Sequence, residues 1–355
     1  MAKKIPKPVF DTIPTPREIF DHLDRYVIGQ TRAKRTLAIA AHNHFKRLRR
    51  RSECAEPGET LLKKSNVLMV GPSGSGKTHL ARNISKILQV PFAVVDATEY
   101  TEAGYYGKDV EVMLGELLFA ADLDVEAAQQ GIVFIDEIDK IARRGHGERT
   151  GAGARDIGGE GVQQSLLKLL EGANVYVPYN LTQHWSKHDF VQMDTTDVLF
   201  ICAGTFTDLR RGAGRRETGF KSGPDAPAGG AKPFDQRVRV EDLLEYGMIA
   251  ELMGRLPIIV ELDELSDDDL MRIMTEPPDS ILREYRELFG LNGHELVIED
   301  EALREVARYA RKRKLGARSL RSIFEDVMHD HLFDAPEKGG EVIRIAREDV
   351  RRKLA

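Results

Sequence analysis

The apolar positions of this 355-residue chain fall into two regimes. Up to about residue 262, short apolar runs alternate with longer stretches of helical period, and beyond it the period is mainly helical. The short runs lie at 66–70, 91–96, 132–136, 198–203 and 257–262. Each is nearly continuous in Val, Ile, Leu, Met, Phe and Ala, as expected of strands buried on both faces. Five such strands alternating with helices predict an α/β fold on a five-stranded, doubly wound parallel sheet.

Polar residues punctuate the helices. Thr15-Pro16-Arg17-Glu18 predicts a helix start, with Thr15 as N-cap, Pro16 in the first position and Glu18 closing a capping box. A helical pattern follows from 32 to about 51, and 52–60 reads as a loop around Pro57 and Gly58. After 262, Ser266 with Asp269 starts one helix, Pro277-Pro278 a second, and Asp300 a third that Gly316 breaks. A fourth runs from 318 to about 332, and a short strand lies near 341–345. The expected division is an N-terminal helical segment (1–62), an α/β domain (63–263) and a small, mostly α-helical C-terminal domain (264–355). Glycine and charge leave 143–159 and 212–236 little to bury, so both read as mobile loops.

Chemistry concentrates at the ends of two predicted strands. Residues Gly71, Pro72, Ser73, Gly74, Ser75, Gly76, Lys77 and Thr78, followed by His79, fit the phosphate-loop pattern G-x-x-x-x-G-K-S/T between a strand and a helix. Glycines let backbone N–H groups turn inward around a polyphosphate at a helix N-terminus, where the dipole favours negative charge. Lys77 would reach β- and γ-phosphate oxygens, and the Thr78 hydroxyl would ligate Mg²⁺. Asp136 and Glu137 close the apolar run 132–136, at the edge where parallel sheets place their ligands. Asp136 would hold Mg²⁺, and Glu137 would polarise the water attacking the γ-phosphate. Upstream, Val27 and Ile28 could pack on a flat aromatic base.

Charge and cysteine content narrow the class. The formal charge of −5 argues against a nucleic-acid or membrane partner. The basic run 46–51 reads as a solvated helix end favoured by the helix dipole. Cys54 and Cys202, far apart, make no disulfide framework and no zinc cluster, which fits a reducing compartment. No apolar stretch is long enough to span a bilayer. A cytoplasmic protein is the expectation.

With these residues in view the chain resembles the ClpX family of AAA+ protein-unfolding ATPases from about residue 13 onward. The likeness rests on Tyr26-Val27-Ile28-Gly29-Gln30, the phosphate loop, residues 102–111, the Asp136-Glu137 strand, residues 159–164, Gly254-Arg255-Leu256-Pro257 and residues 316–321. It implies a homohexameric ring with ATP between subunits. It also implies Val27 and Ile28 in the adenine pocket, Arg255 as an arginine finger for a neighbour's γ-phosphate, and Arg318 as a small-domain sensor of that phosphate. Tyr105, with Tyr106 beside it, would grip unfolded or tagged polypeptide in a central pore, with pore loops near 102–108, 143–159 and 179–188. Thr205 is the candidate for sensing the attacking water.

Some positions depart from the family. The family's zinc-binding N-terminal domain has no counterpart, so zinc is not expected. Gln183, His184 and Trp185 stand where the family has Arg-Lys-His at the pore entrance. Thr218-Gly219-Phe220 replaces the aliphatic-Gly-Phe tripeptide that docks the ClpP peptidase, and a threonine suits an apolar cleft poorly. The alternatives are a peptidase-independent remodeller, a nucleic-acid motor or loader supported only by 46–51, and a nucleotide-bound scaffold. Intact Lys77, Asp136, Glu137, Arg255 and Arg318 argue against the scaffold.

Overall fold

Thr15 opens the first helix as its pattern predicts: its hydroxyl caps the Glu18 N–H, and the Glu18 carboxylate accepts from the Thr15 N–H, 2.7 Å away. This computed structural model describes residues 12–53, 62–101, 108–143, 159–179, 190–207, 209, 237–313, 316–337 and 340–354. They divide into two compact units, one drawn from 40–70 and 88–261, the other from 14–39, 71–87 and 262–355. Among the described residues no helix is long and apolar enough to cross a membrane.

The first unit is built on five parallel strands: β1 (Val67–Val70), β2 (Phe92–Asp96), β3 (Ile132–Asp136), β6 (Leu199–Gly204) and β7 (Ile258–Glu261), in the spatial order β2-β3-β6-β1-β7. Each lies within two residues of its expected run. The strands are parallel, so their C-terminal ends share one edge. Asp96 pairs with Asp136, and Val70 pairs with both Gly204 and Glu261. Every residue of β1 and β6 is buried, and Phe134, Phe200, Leu117 and Leu166 fill the core. Cys202, in the middle of β6, is buried too, and burial pushes its thiol up to about 12.

An antiparallel hairpin, β4 (Asn174–Pro178) with β5 (Phe190–Asp194), was not anticipated. Val175, Val177 and Met193 face inward while Tyr176 faces out, an alternation too short to stand out in sequence. The basic run also needs correction. Buried Arg47 donates to the Thr196 carbonyl and to Asp197 Oδ1 at 3.0 and 3.1 Å, and Arg51 reaches the same carboxylate at 2.6 Å. Two of its arginines therefore neutralise an internal acid rather than facing solvent together.

The second unit holds α1 (Pro16–Tyr26), the first turns of α2 (Thr31–Glu53), the phosphate loop with α3 (Lys77–Leu88), and the C-terminal helices. Helices Asp267–Thr275, Ile281–Leu291, Asp300–Lys312 and Arg318–Asp334 enclose Leu270, Phe289, Leu303, Ile323 and Phe324. The Ser266–Asp269 capping box forms. Pro277-Pro278 do not open the next helix. They make the turn before it, where the Ser280 N–H bonds Pro277 O, and Ser280 is the N-cap. Glu299, one residue before the expected Asp300, caps the third. The strand near 341–345 is β9 (Val342–Ile345), and its parallel partner β8 (Glu295–Ile298) was not foreseen.

Lys64 links this packing to pH. Its ammonium donates to Thr195 O at 2.8 Å and lies 4.7 Å over the Phe200 ring. Burial first, then neighbouring Arg47, pulls it from 10.5 down to about 7. Across that window the unfolded chain binds the extra proton, so Lys64 makes stability rise as pH climbs from about 7 towards 10. Lys64→Met is expected to flatten that rise. Denaturation midpoints of both proteins at pH 7 and pH 9 test it, and equal slopes would contradict it.

Candidate functional site

In the second unit the phosphate loop takes the conformation its glycines allow. Gly74 and Gly76 lie at φ +73° and +100°, and Gly76 O accepts the Leu80 N–H at 2.9 Å as α3 begins. Lys77 is buried, and its ammonium donates to Gly71 O and Pro72 O at 2.8 and 3.0 Å, folding the loop on itself. Ser75 Oγ is buried with no hydrogen-bond partner among the described residues, a polar atom available to a ligand. A Cβ on Gly71 would come within 2.7 Å of Leu262 Cβ, so only glycine fits there.

The start of helix Arg318–Asp334 sits against this loop. The Ala317 N–H donates to Gly74 O at 3.3 Å, and Gly316, at φ +56°, lies so near that a Cβ would meet Gly74 O and Ser73 O at 3.0 Å. Arg318 thus begins one residue beyond a direct tie to the loop. Val27 and Ile28 are both buried in this unit. Their segment is fixed by His79 Nε2 donating to Tyr26 O at 3.2 Å and by Lys34 donating to Val27 O at 2.9 Å. Gln30 pairs with the Asp263 backbone in both directions, at 2.8 and 3.0 Å, which tethers residues 26–30 next to Leu262.

Asp136 and Glu137 lie in the first unit, at the C-terminal end of β3. Glu137 is a non-glycine residue in the left-handed region, φ +57°, and its N–H donates to Asp136 Oδ1 at 3.0 Å. Such backbone costs about 1–3 kcal/mol and gathers at functional positions. Arg255, at the end of helix Ala250–Arg255, pairs with Glu171 at 2.7 Å, both side chains about half exposed. Exposed pairs of this kind are worth at most about 1 kcal/mol, so the guanidinium is readily redirected. Its backbone is better anchored, with Arg255 O accepting from buried Asn66 at 3.0 Å.

One contributor escaped sequence reading: Asp139 is buried and accepts from Thr205. The available signal was an acid set between Ile138 and Ile141. Gln30, singled out only as part of the stretch 26–30, ties the Val27–Ile28 segment to Asp263. Tyr105, Tyr106, the pore-entrance residues 183–188 and Thr218-Gly219-Phe220 lie outside the described residues, as do most of 143–159 and all of 212–236.

The AAA domain family (Cdc48 subfamily) matches residues 62–259, and the C-terminal, D2-small domain of ClpB protein matches residues 265–345. The ATP-dependent Clp protease ATP-binding subunit ClpX 2 of Wolinella succinogenes is 47% identical over 333 residues, covering 94% of this chain and 80% of the relative. ClpX of Borrelia duttonii is 44% identical over 328 residues, covering 91% and 75%.

The Gly316 contact gives a test. Gly316→Ala puts a Cβ at positive φ, costing roughly 1–2 kcal/mol, and presses it on the loop carbonyls. Weaker binding of a fluorescent ATP analogue is expected, and unchanged affinity would refute the importance of the contact.

Proposed function

The chain belongs to the ClpX family of AAA+ ATPases, and on that premise we propose that it binds and hydrolyses ATP in a homohexameric ring, with the residue roles that follow. The protein is an ATP-binding, ATP-hydrolysing AAA+ chaperone that couples turnover to protein unfolding. In this reading residues 63–263 are the large ATPase domain and 264–355 the small one.

The N–H groups of Gly71–Thr78 and the Lys77 ammonium bind the triphosphate, and buried Ser75 Oγ is a further donor. Val27 and Ile28 line the adenine site, next to His79. The Thr78 hydroxyl and the Asp136 carboxylate are hard oxygen donors of the kind Mg²⁺ takes. Bound there, the ion would neutralise phosphate charge. Glu137 accepts the proton of the attacking water, and Arg255 of a neighbouring subunit offsets charge at the γ-phosphate. Arg318 reports that phosphate to the small-domain helices. The observation that carries this reading is the bond from Ala317 N–H to Gly74 O, which supports a direct mechanical link between loop and sensor helix.

Tyr105 and Tyr106 grip the threaded substrate, since aromatic rings offer contact area to any sequence. Unfolding by pulling is needed because folded domains are stable by about 5–15 kcal/mol. The relatives' names support a Clp-type peptidase as partner, with Thr218-Gly219-Phe220 a degenerate counterpart of the family's docking tripeptide.

Glu137→Gln should keep ATP affinity and lose about 10²- to 10⁴-fold in turnover, measured by phosphate release; near-normal turnover sinks the assignment. Arg255→Ala should lose roughly 10³-fold or more with binding intact. Tyr105→Ala should hydrolyse ATP yet fail to unfold a tagged fluorescent protein, and retained unfolding would remove the pore role. Stimulation of hydrolysis by unfolded protein rather than DNA separates this reading from a nucleic-acid motor. Capture by the Glu137→Gln variant, with and without peptidase, tests the partner.

A further inference from the structure

Asp139 is a carboxylate with 4% of its surface exposed, and a buried charge must be met by hydrogen bonds. Its partners lie at the end of β6: Oδ1 accepts the Thr205 N–H at 3.2 Å, while Oδ2 accepts the Thr205 hydroxyl at 2.9 Å and the Phe206 N–H at 3.4 Å. Both oxygens are engaged, in charge-assisted bonds stronger than neutral ones. Gly204 completes the fit, because a Cβ there would sit 2.8 Å from Asp139 Oδ1. The carboxylate is pressed onto the β6 backbone.

Unfavourable backbone flanks this contact on both sides. Glu137, two residues before Asp139, is left-handed at φ +57°, and Phe206, one of its donors, at φ +46°. Left-handed non-glycine residues persist where their surroundings over-determine them. Here β3 and β6 are adjacent in the sheet, and Asp139 joins the segments leaving their C-terminal ends. Phe206 is fully buried, its ring 5.1 Å from that of Tyr246, so the receiving segment is anchored in turn.

The chemistry of the bond sets the hydroxyl's role. A carboxylate only accepts, so the Thr205 proton is committed to Asp139 and the Thr205 oxygen is left as an acceptor. It already accepts from the Thr207 hydroxyl at 3.3 Å. A freely rotating hydroxyl thereby becomes an acceptor held in a set relation to the Glu137 backbone.

We propose that Asp139 is a positioning residue for ATP hydrolysis, locking the Thr205 hydroxyl and the end of β6 to the segment that carries Glu137. The proposal rests on Glu137 being the group that activates water.

The test compares Asp139→Asn, Thr205→Val, Thr205→Ser and Glu137→Gln in the full chain by steady-state hydrolysis, nucleotide binding and thermal denaturation. In Asp139→Asn one acceptor oxygen becomes an N–H₂ that faces a backbone N–H of Thr205 or Phe206 in either orientation, so the clamp on the end of β6 is broken with little change of shape. Asp139→Asn and Thr205→Val are expected to lower kcat about tenfold to a hundredfold, as misplaced catalytic groups do, with KM and nucleotide affinity little changed. Thr205→Ser, which restores the hydroxyl, should recover most of what Thr205→Val loses. The proposal fails if either Asp139→Asn or Thr205→Val keeps wild-type kcat, if their loss falls on KM and affinity, or if Thr205→Ser is as impaired as Thr205→Val. If Asp139→Asn does not fold, the Thr205 pair decides alone. An active Glu137→Gln would overturn the underlying assignment, whereas an inactive one beside a fully active Asp139→Asn would overturn only the role of Asp139.

Discussion

Strands buried on both faces can carry almost no polar chemistry along their length, and a parallel sheet delivers all its C-terminal ends to one edge. That constraint governs this protein. β3 and β6 are apolar until their last residues, and polar groups then appear at once: Asp136 and Glu137 after one strand, Thr205 after the other, and the phosphate loop after β1. Because β3 and β6 are adjacent in the sheet, the segments leaving their ends become neighbours, as the bond from Thr205 to Asp139 shows.

A second thread is backbone in the left-handed region. Gly74, Gly76 and Gly316 adopt it at little cost, while Glu137 and Phe206 adopt it despite their side chains. The glycines lie where backbone approaches backbone or turns its N–H groups inward. Phe206 is held by the buried Asp139 carboxylate and by its own buried ring, and the Glu137 N–H bonds Asp136 Oδ1. Side chains in this protein are aimed as much by these unusual torsions as by the regular elements.

What could be read from sequence follows the range of the interactions. The five strands were legible because continuous apolar runs are a local signal, and the phosphate loop because its glycines, lysine and threonine are contiguous. The order β2-β3-β6-β1-β7 was not, since it depends on pairings across more than a hundred residues, such as Val67 with Ile201. Arg47 and Arg51 looked like a solvated helix end because their acid, Asp197, lies 150 and 146 residues away. The hairpin of β4 and β5 and the strand β8 are runs of four or five residues, too short for their period to stand out, whereas β9 was legible as the short strand near 341–345. Asp139 went unnoticed beside two acids that already had an assignment. Arg255 and Arg318 carry no local signal, and only the family resemblance singled them out.

The burial of Cys202 has a consequence for anyone following the motions of this molecule. Thiolates, not thiols, react with alkylating agents and oxidants, and a group pushed up to about 12 inside β6 is almost never a thiolate. Its alkylation therefore waits for the central strand to part from β1 and β3, an opening of the whole sheet rather than fraying at an end. The sulfur is a built-in clock for how often a machine that takes other proteins apart comes apart itself.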